Sequence, residues 1–250
     1  MGITIKSQSE MMLMREAGKI TGGAIQYAGE RIKPGMSTLD IDMLVGEYYA
    51  RHGAKSAFKG LYGFPGNACI SINDEIIHGI PKANRRVKEG DIVSIDTGAA
   101  YKGFNGDSTK TFPVGKISDE AKALLEVTEK ALYEGIAQAQ VGARVGDISH
   151  AVEVYCASRG YGIVRNYCGH GIGREVHESP EIPNWGRAGH GPRLVAGMTI
   201  CIEPMINVRG DDVKQLKNGW TIVTASGSLS AHFEHTIAIT PDGPVILTEP

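Results

Sequence analysis

Four carboxylates in this sequence stand where a carboxylate is expensive. Asp96 closes the apolar run Ile92-Val-Ser-Ile, and Glu203 closes Thr199-Ile-Cys-Ile. Asp107 follows Asp96 by eleven residues, and Glu234 sits inside His232-Phe-Glu-His-Thr-Ile. An acid at the end of a buried strand costs free energy unless it is paired or bound to a metal. A fifth group lies in Tyr167-Cys-Gly-His-Gly-Ile-Gly-Arg-Glu-Val-His177, where His170 and His177 stand among three glycines, Gly169, Gly171 and Gly173. Glycine lets a backbone take tight or left-handed conformations and approach another group closely. A histidine held there is well placed to face an ion or a substrate.

Asp96, Asp107, Glu203, Glu234 and His170 form an oxygen-rich set with one imidazole. Such a set suits manganese, iron(II) or cobalt better than a thiolate zinc site. Four carboxylates carry too much charge for one ion, so two divalent metal ions bridged by a carboxylate and sharing an activated water fit better. A symmetric hairpin turning near Tyr101-Lys102 would make Asp96 and Asp107 cross-strand neighbours. Strand alternation puts His232, Glu234 and Thr236 on one face and turns His235 to the other with Phe233 and Ile237. His235 is therefore expected to be a packed or surface residue. Cys168 and His170 offer no orienting acid at their spacing, which argues against a cysteine nucleophile.

The elements that must carry these groups repeat. Ser7 and Glu10 read as a capping box for a helix over about residues 8 to 29. Ser37-Thr38 caps a second helix, with Gly53 past its end. Residues 56 to 80 read as loop and short strands. Ile92–Gly98 reads as a strand with Asp107–Phe112 as its partner. Then the pattern restarts: Ser118-Asp119 caps a helix, and a further helix carries Ile148, Val152 and Tyr155 up to Gly160. Strands follow near Thr199–Glu203, Trp220–Val223 and Ser230–Thr240. Gly35 and Gly142, Asp40 and Asp147, Tyr48 and Tyr155, Gly90 and Gly197, and Asp96 and Glu203 are each 107 residues apart. One offset held over so long a stretch predicts an α+β fold of two pseudo-symmetric helix–helix–antiparallel-sheet halves, about 8–112 and 118–240, within a single catalytic domain over 1–250.

Composition excludes other classes. In 250 residues, 42% are apolar and 22% charged, a soluble globular balance. The 28 acids and 26 bases nearly cancel, so no basic footprint for nucleic acid or an anionic membrane is present. The four cysteines form no Cys-x-x-Cys pair. The first residues lack an apolar signal core and no apolar run is long enough to span a bilayer, so a reducing cytoplasm is expected.

With these residues in view, the whole chain resembles the methionine aminopeptidases of type I, bacterial-like, in the pita-bread fold shared with prolidase, aminopeptidase P and creatinase. The most specific stretch runs from Tyr167 to Trp185. Ile77-His78-Gly-Ile-Pro81, Ser94-Ile-Asp96, Gly106-Asp-Ser-Thr109, Ile202-Glu-Pro204 and Phe233-Glu-His-Thr236 support it. The segment between His177 and Glu203 is too short for the helical insertion of type II enzymes.

The resemblance implies a metalloaminopeptidase. Its N-terminal Met peptides would be those of nascent chains, at or away from the ribosome, and water activated by two metal ions would attack the first peptide bond. Asp107 and Glu234 would bridge the ions, Asp96 would complete one shell, and His170 with Glu203 the other. His78 would contact substrate near the scissile amide, and His177 would hydrogen-bond the carbonyl oxygen. Glu203 would help move the proton. Phe58, Leu61, Phe64, Cys69, Val176 and Trp220 would line the methionine pocket. Here Phe58, Leu61, Phe64 and Val176 depart from the Cys or Tyr at the first three positions and the Phe at the fourth that are frequent in the family. A cytoplasmic monomer is implied. The alternatives are an X-Pro aminopeptidase or dipeptidase of the same fold, and a pita-bread binding module without catalysis. The binding module requires lost ligands, and none of the five is lost.

Overall fold

Each of the four helices starts where a side chain can satisfy the free N–H groups of its first turn. In the computed structural model, which describes residues 2–250, Ser7 and Glu10 cap each other's backbone N–H groups and open helix α1, Gln8–Gly29. Ser37 and Asp40 do the same for α2, Thr38–Arg51. Ser118 accepts from Ala121 N–H at the start of α3, Asp119–Ala137. At α4, Val145–Ala157, only the acid of the box remains: the Asp147 carboxylate accepts from Arg144 N–H at 2.7 Å.

The offset of 107 residues persists in the hydrogen bonds. Gly35 N–H donates to Val87 O at 2.8 Å, and Gly142 N–H to Leu194 O at 2.9 Å. The Arg86 guanidinium reaches Gly35 O at 2.6 Å, and Arg193 reaches Gly142 O at 2.8 Å. Gly35 and Gly142 have φ of 93° and 92°, a left-handed conformation that a side chain would strain. α2 and α4 are thus tied to their sheets by the same device.

The main sheet has nine strands, all paired antiparallel. At its centre lies the hairpin Ile92–Tyr101 with Phe104–Pro113. Cys69–Ile72 flanks it on one side. On the other side come Glu234–Thr240, Thr199–Ile202, Gly169–Gly171 and Glu178–Ile182 in turn. α1 and α2 lay Ala24, Ile25, Ile41, Val45 and Tyr49 on Ile70, Val93, Ile95 and Ala99. α3 and α4 lay Leu124, Leu132, Ile148 and Val152 on Ile200, Ile202, Ile237 and Ile239. Because successive residues of a strand point to opposite faces, Asp96 faces away from the helices that cover Ile95. The helices fill one face of the sheet and leave the other for chemistry. Among the described residues no helix is long and apolar enough to cross a membrane.

Two expectations are corrected. The hairpin turns at Lys102-Gly103, where φ is 49° and 82°, both left-handed as a two-residue turn of type I′ requires. The register therefore pairs Asp96 with Thr109 and Asp107 with Gly98, so the two aspartates are diagonal neighbours rather than direct partners. The strand expected over Ser230–Thr240 is broken at Phe233. Ser230–His232 joins Met205–Asn207 in a separate sheet, and Glu234–Thr240 stays in the main one. In the Tyr167–His177 stretch the glycines serve the expected close approach, without left-handed conformations. Gly169–Gly171 is a strand, and glycine is needed there for closeness: a Cβ on Gly169 would lie 2.2 Å from Cys201 O, and one on Gly171 would lie 2.2 Å from Ser179 O.

Closeness also seats α1. A Cβ on Gly106 would lie 2.6 Å from Gly18 Cα, and Thr21 Oγ1 donates to Gly106 O at 3.1 Å. Gly106→Ala should push the helix off the hairpin and lower the unfolding free energy by about 1–3 kcal/mol, the usual cost of overpacking. Urea unfolding checks this; stability equal to the parent protein would mean that the contact is not tight.

Candidate active site

The register of the sheet gathers the acids. Cys69, Asp96, Thr109 and Glu234 lie in one row across four adjacent strands. Thr109 Oγ1 donates to Glu234 Oε2 at 2.9 Å. One step along, Asp107 is gripped by Thr236, whose hydroxyl accepts from Asp107 N–H at 3.0 Å and donates to Asp107 O at 2.7 Å. Glu203 directly follows the Thr199–Ile202 strand, just before Pro204. Asp96, Asp107, Glu203 and Glu234, from both halves of the repeat, meet in one cavity of about 870 Å³.

His170 enters from the Gly169–Gly171 strand. Its Nδ1 lies 2.9 Å from Gly171 O. A carbonyl only accepts, so Nδ1 carries the proton and Nε2 presents its lone pair to the acids. Nε2 is 3.9 Å from Asp107 Oδ2 and 3.7 Å from Glu203 Oε1. Those separations are too long for hydrogen bonds. They match ligands sharing an ion at about 2.1 Å each, which stand roughly 3–4 Å apart. Ligand atoms of Asp107, His170, Glu234 and Cys201 lie within 4.8 Å of one another. Asp107 Oδ1 and Glu234 Oε1 are buried with no hydrogen-bond partner. Orphaned carboxylate oxygens aimed at one point are what a cation site requires, so the residues present fit a divalent metal.

The electrostatics agree. Burial, then the neighbouring acids, push the Asp107, Glu203 and Glu234 carboxyls well above the usual carboxylate range. Burial raises Asp96 too. The same burial pulls His170 down to about 4, with His177 adding to it, so the ring is a neutral donor near neutral pH. Burial beside Glu234 and Asp107 pushes the Cys201 thiol up as well, so it stays a thiol and is a poor ligand. Cys168 is raised to about 11, which removes it as a nucleophile.

The walls divide by chemistry. Phe64 meets Trp220 edge-on with ring centroids 5.2 Å apart. His78 stands edge-on to Tyr167 and to Trp220, at 6.0 and 6.3 Å. Phe58, Leu61, Cys69 and Ile77 complete an apolar end. The His177 and His170 rings are 4.5 Å apart. His78 has φ 59°, a strained left-handed conformation of the kind found at functional sites, and its O accepts from Thr221 Oγ1. Burial holds it at about 4 and lowers His177 also, so both rings are neutral.

All but one of the residues singled out in the sequence reach this cavity. The exception is Val176. It is buried and is not among the residues lining the cavity, and its backbone meets His170. His235 is packed, with Nδ1 2.8 Å from Thr248 Oγ1 and its ring against Tyr133. Sequence reasoning missed Tyr62, which is largely exposed yet stacks on His177 at 6.0 Å. It also gave no role to Tyr167 or to His232, although strand alternation had set His232 on the face of Glu234.

Known proteins share this arrangement of elements. The model of metallopeptidase family M24 matches residues 12–241. A methionine aminopeptidase of Clostridium perfringens is 50% identical, over 98% of this chain and 98% of that protein. The crystal structure of a methionine aminopeptidase from Thermotoga maritima superposes with a TM-score of 0.98 at 43% identity, covering 100% of both chains. A prolidase from Pyrococcus furiosus superposes with a TM-score of 0.81 at 25% identity, over 98% of this chain but 65% of that one. The pita-bread architecture is common to all three, and the chain belongs to the metallopeptidase family M24.

Proposed function

We propose that this protein is a type I methionine aminopeptidase, removing the initiator methionine from new polypeptides. The observation that carries the reading is the convergence of Asp107, His170 and Glu234 within 4.8 Å, on the floor of a cavity whose walls hold His78, His177 and an aromatic end. Residues 1–250 act as one catalytic domain, because the site draws its acids from both halves. The setting is the cytoplasm, acting as a monomer on nascent chains.

Asp96, Asp107, His170, Glu203 and Glu234 would hold two divalent ions. Bound there, the ions supply Lewis-acid polarisation of the scissile carbonyl and a water acidic enough to attack near neutral pH. The chain's own residues do the rest. Phe58, Leu61, Phe64, Cys69 and Trp220 hold the methionine side chain and exclude water from it. His78, a neutral ring at the edge of that pocket, hydrogen-bonds the substrate near the scissile amide. His177 donates to the carbonyl oxygen as negative charge develops on it. Glu203 takes the proton of the attacking water and passes it to the leaving amine. The X-Pro reading is not favoured, since the full-length relatives are methionine aminopeptidases.

Metal-loaded protein should release methionine from Met-Ala-Ser and leave Ala-Pro-x peptides intact; no methionine in the supernatant would sink the assignment. Asp107→Ala should lower turnover by more than the 10–100-fold typical of outer-shell partners of a metal. Metal should also be lost on elemental analysis while the far-ultraviolet circular dichroism stays unchanged.

The raised carboxyls give a pH signature. A carboxyl raised in the folded state stabilises that state at low pH, and the contribution is lost as pH rises through the raised value. Metal-free protein should therefore lose this stabilisation on going from about pH 5.5 to about pH 7.5, and metal, which needs the ionised acids, should restore it. The rise in Tm on adding manganese should be larger at the higher pH. His170, already neutral at both, does not oppose it. Equal increments at the two values would count against ligation by these acids.

A further inference from the structure

His232 is a buried titratable group in the cavity to which the proposed mechanism gives no task. Its side chain is 2% exposed, and neither Nδ1 nor Nε2 has a hydrogen-bond partner. A buried polar group left unpaired is a cost that a fold rarely keeps without a use. The ring is also firmly placed. Thr111 Oγ1 accepts from His232 N–H at 3.0 Å and donates to His232 O at 2.8 Å, while Met205 pairs with it across the strand. The backbone is thus clamped on both sides, and the ring is aimed at Glu203.

Nε2 of His232 lies 3.6 Å from Glu203 Oε2, and Nε2 of His170 lies 3.7 Å from Glu203 Oε1. The two carboxylate oxygens face two different histidines. His170 lies among the donor atoms that stand within 4.8 Å of one another, a group that leaves out Glu203 and Asp96 as well as His232. We infer that His232 is a positioning residue: its Nε2–H donates to Glu203 Oε2 and so fixes which oxygen, Oε1, is turned toward His170 and the metal centre. Closing the present gap to about 3.0 Å needs only a small torsion of the Glu203 side chain. A carboxylate that moves a proton must keep one oxygen in a defined place through the cycle, and a second-sphere donor on the other oxygen does this. The inference rests on the proposed role of Glu203.

The test uses metal-loaded protein and Met-Ala-Ser, with His232→Leu to remove both ring nitrogens and His232→Gln to keep an N–H at similar reach. The Leu variant should lose about 10–100-fold in kcat with KM nearly unchanged. Titration calorimetry with manganese should give the same stoichiometry in the variants as in the parent. His232→Gln should recover most of the kcat. In a Glu203→Gln background, His232→Leu should add little further loss. Parent-like kcat in the Leu variant overturns the inference, and so does full additivity with Glu203→Gln. A fall in manganese stoichiometry would make His232 a ligand, and a rise in KM alone would make it a substrate contact; either also overturns it. If the Leu variant does not fold, His232→Gln decides alone: near-parent kcat and stoichiometry support a donor role, and loss of either refutes it. Failure of the parent protein to release methionine would instead refute the function on which the inference rests.

Discussion

Uncompensated negative charge is the constraint on which this structure turns. Asp107 and Glu234 are deeply buried and Glu203 is mostly so, and among the described residues the ion-pair contacts of Asp107 and Glu203 are with histidines alone. Removing an ionised carboxylate from water costs several kcal/mol even after the surroundings relax. The fold meets that cost in two ways: it lets the acids hold protons, which is the direction of their shifts, or it admits a cation. Rigidity makes the second route specific. Threonine hydroxyls from neighbouring strands grip Asp107 and Glu234, and two separate apolar cores, one per half, hold the strands beneath them. The cores supply the stability that the site spends.

Symmetry alone would not make this site. Asp96 and Glu203 are related by the repeat, but the residues after them are not. Thr97 continues its strand to Tyr101 and bonds to Tyr49, whereas the matching strand ends at Ile202, before the counterpart Pro204. Proline has no N–H to give to a ladder, so the second half cannot copy the long hairpin of the first. The chain after Pro204 joins Ser230–His232 in a separate sheet instead. The position matching Asp107 is Lys214, which is no acid, and the further carboxylate, Glu234, comes from a different strand. Likewise His170 has only Gly63 as its counterpart. An approximately twofold frame thus carries an asymmetric set of ligands.

Much of this was legible in the sequence, and the parts that were not share a cause. Capping residues set the helix starts, and they are local, so Ser7, Ser37 and Ser118 could be read directly. The acids were legible because their cost is a property of one strand. Register was not: it follows from φ at Lys102 and Gly103, and a turn shifted by one position moved the pairing of Asp96 from Asp107 to Thr109. The Gly169–Gly171 strand was hidden because closeness and left-handed geometry select the same residue. Tyr62, Val176 and His232 depend on which segments meet in space, and sequence spacing carries no record of that.

The division of the cavity bears on why such a site trims a chain from its end. One wall is an aromatic and aliphatic cluster, Phe64, Trp220 and Leu61, closed by His78 and Tyr167. The other is ionic: Lys6 pairs with Glu178, and Arg174 with Glu10. An apolar dead end can hold a single unbranched thioether side chain without desolvating any charge. The charged wall favours the hydrated, polar backbone of whatever follows. On the proposed reading the scissile bond lies where the two meet, above the acids. Lys6 and Glu178 tie the first residues of the protein to the strand that follows His177. On that reading an apolar cluster that takes one side chain, beside charged groups that suit a hydrated backbone, is an arrangement an exopeptidase can use.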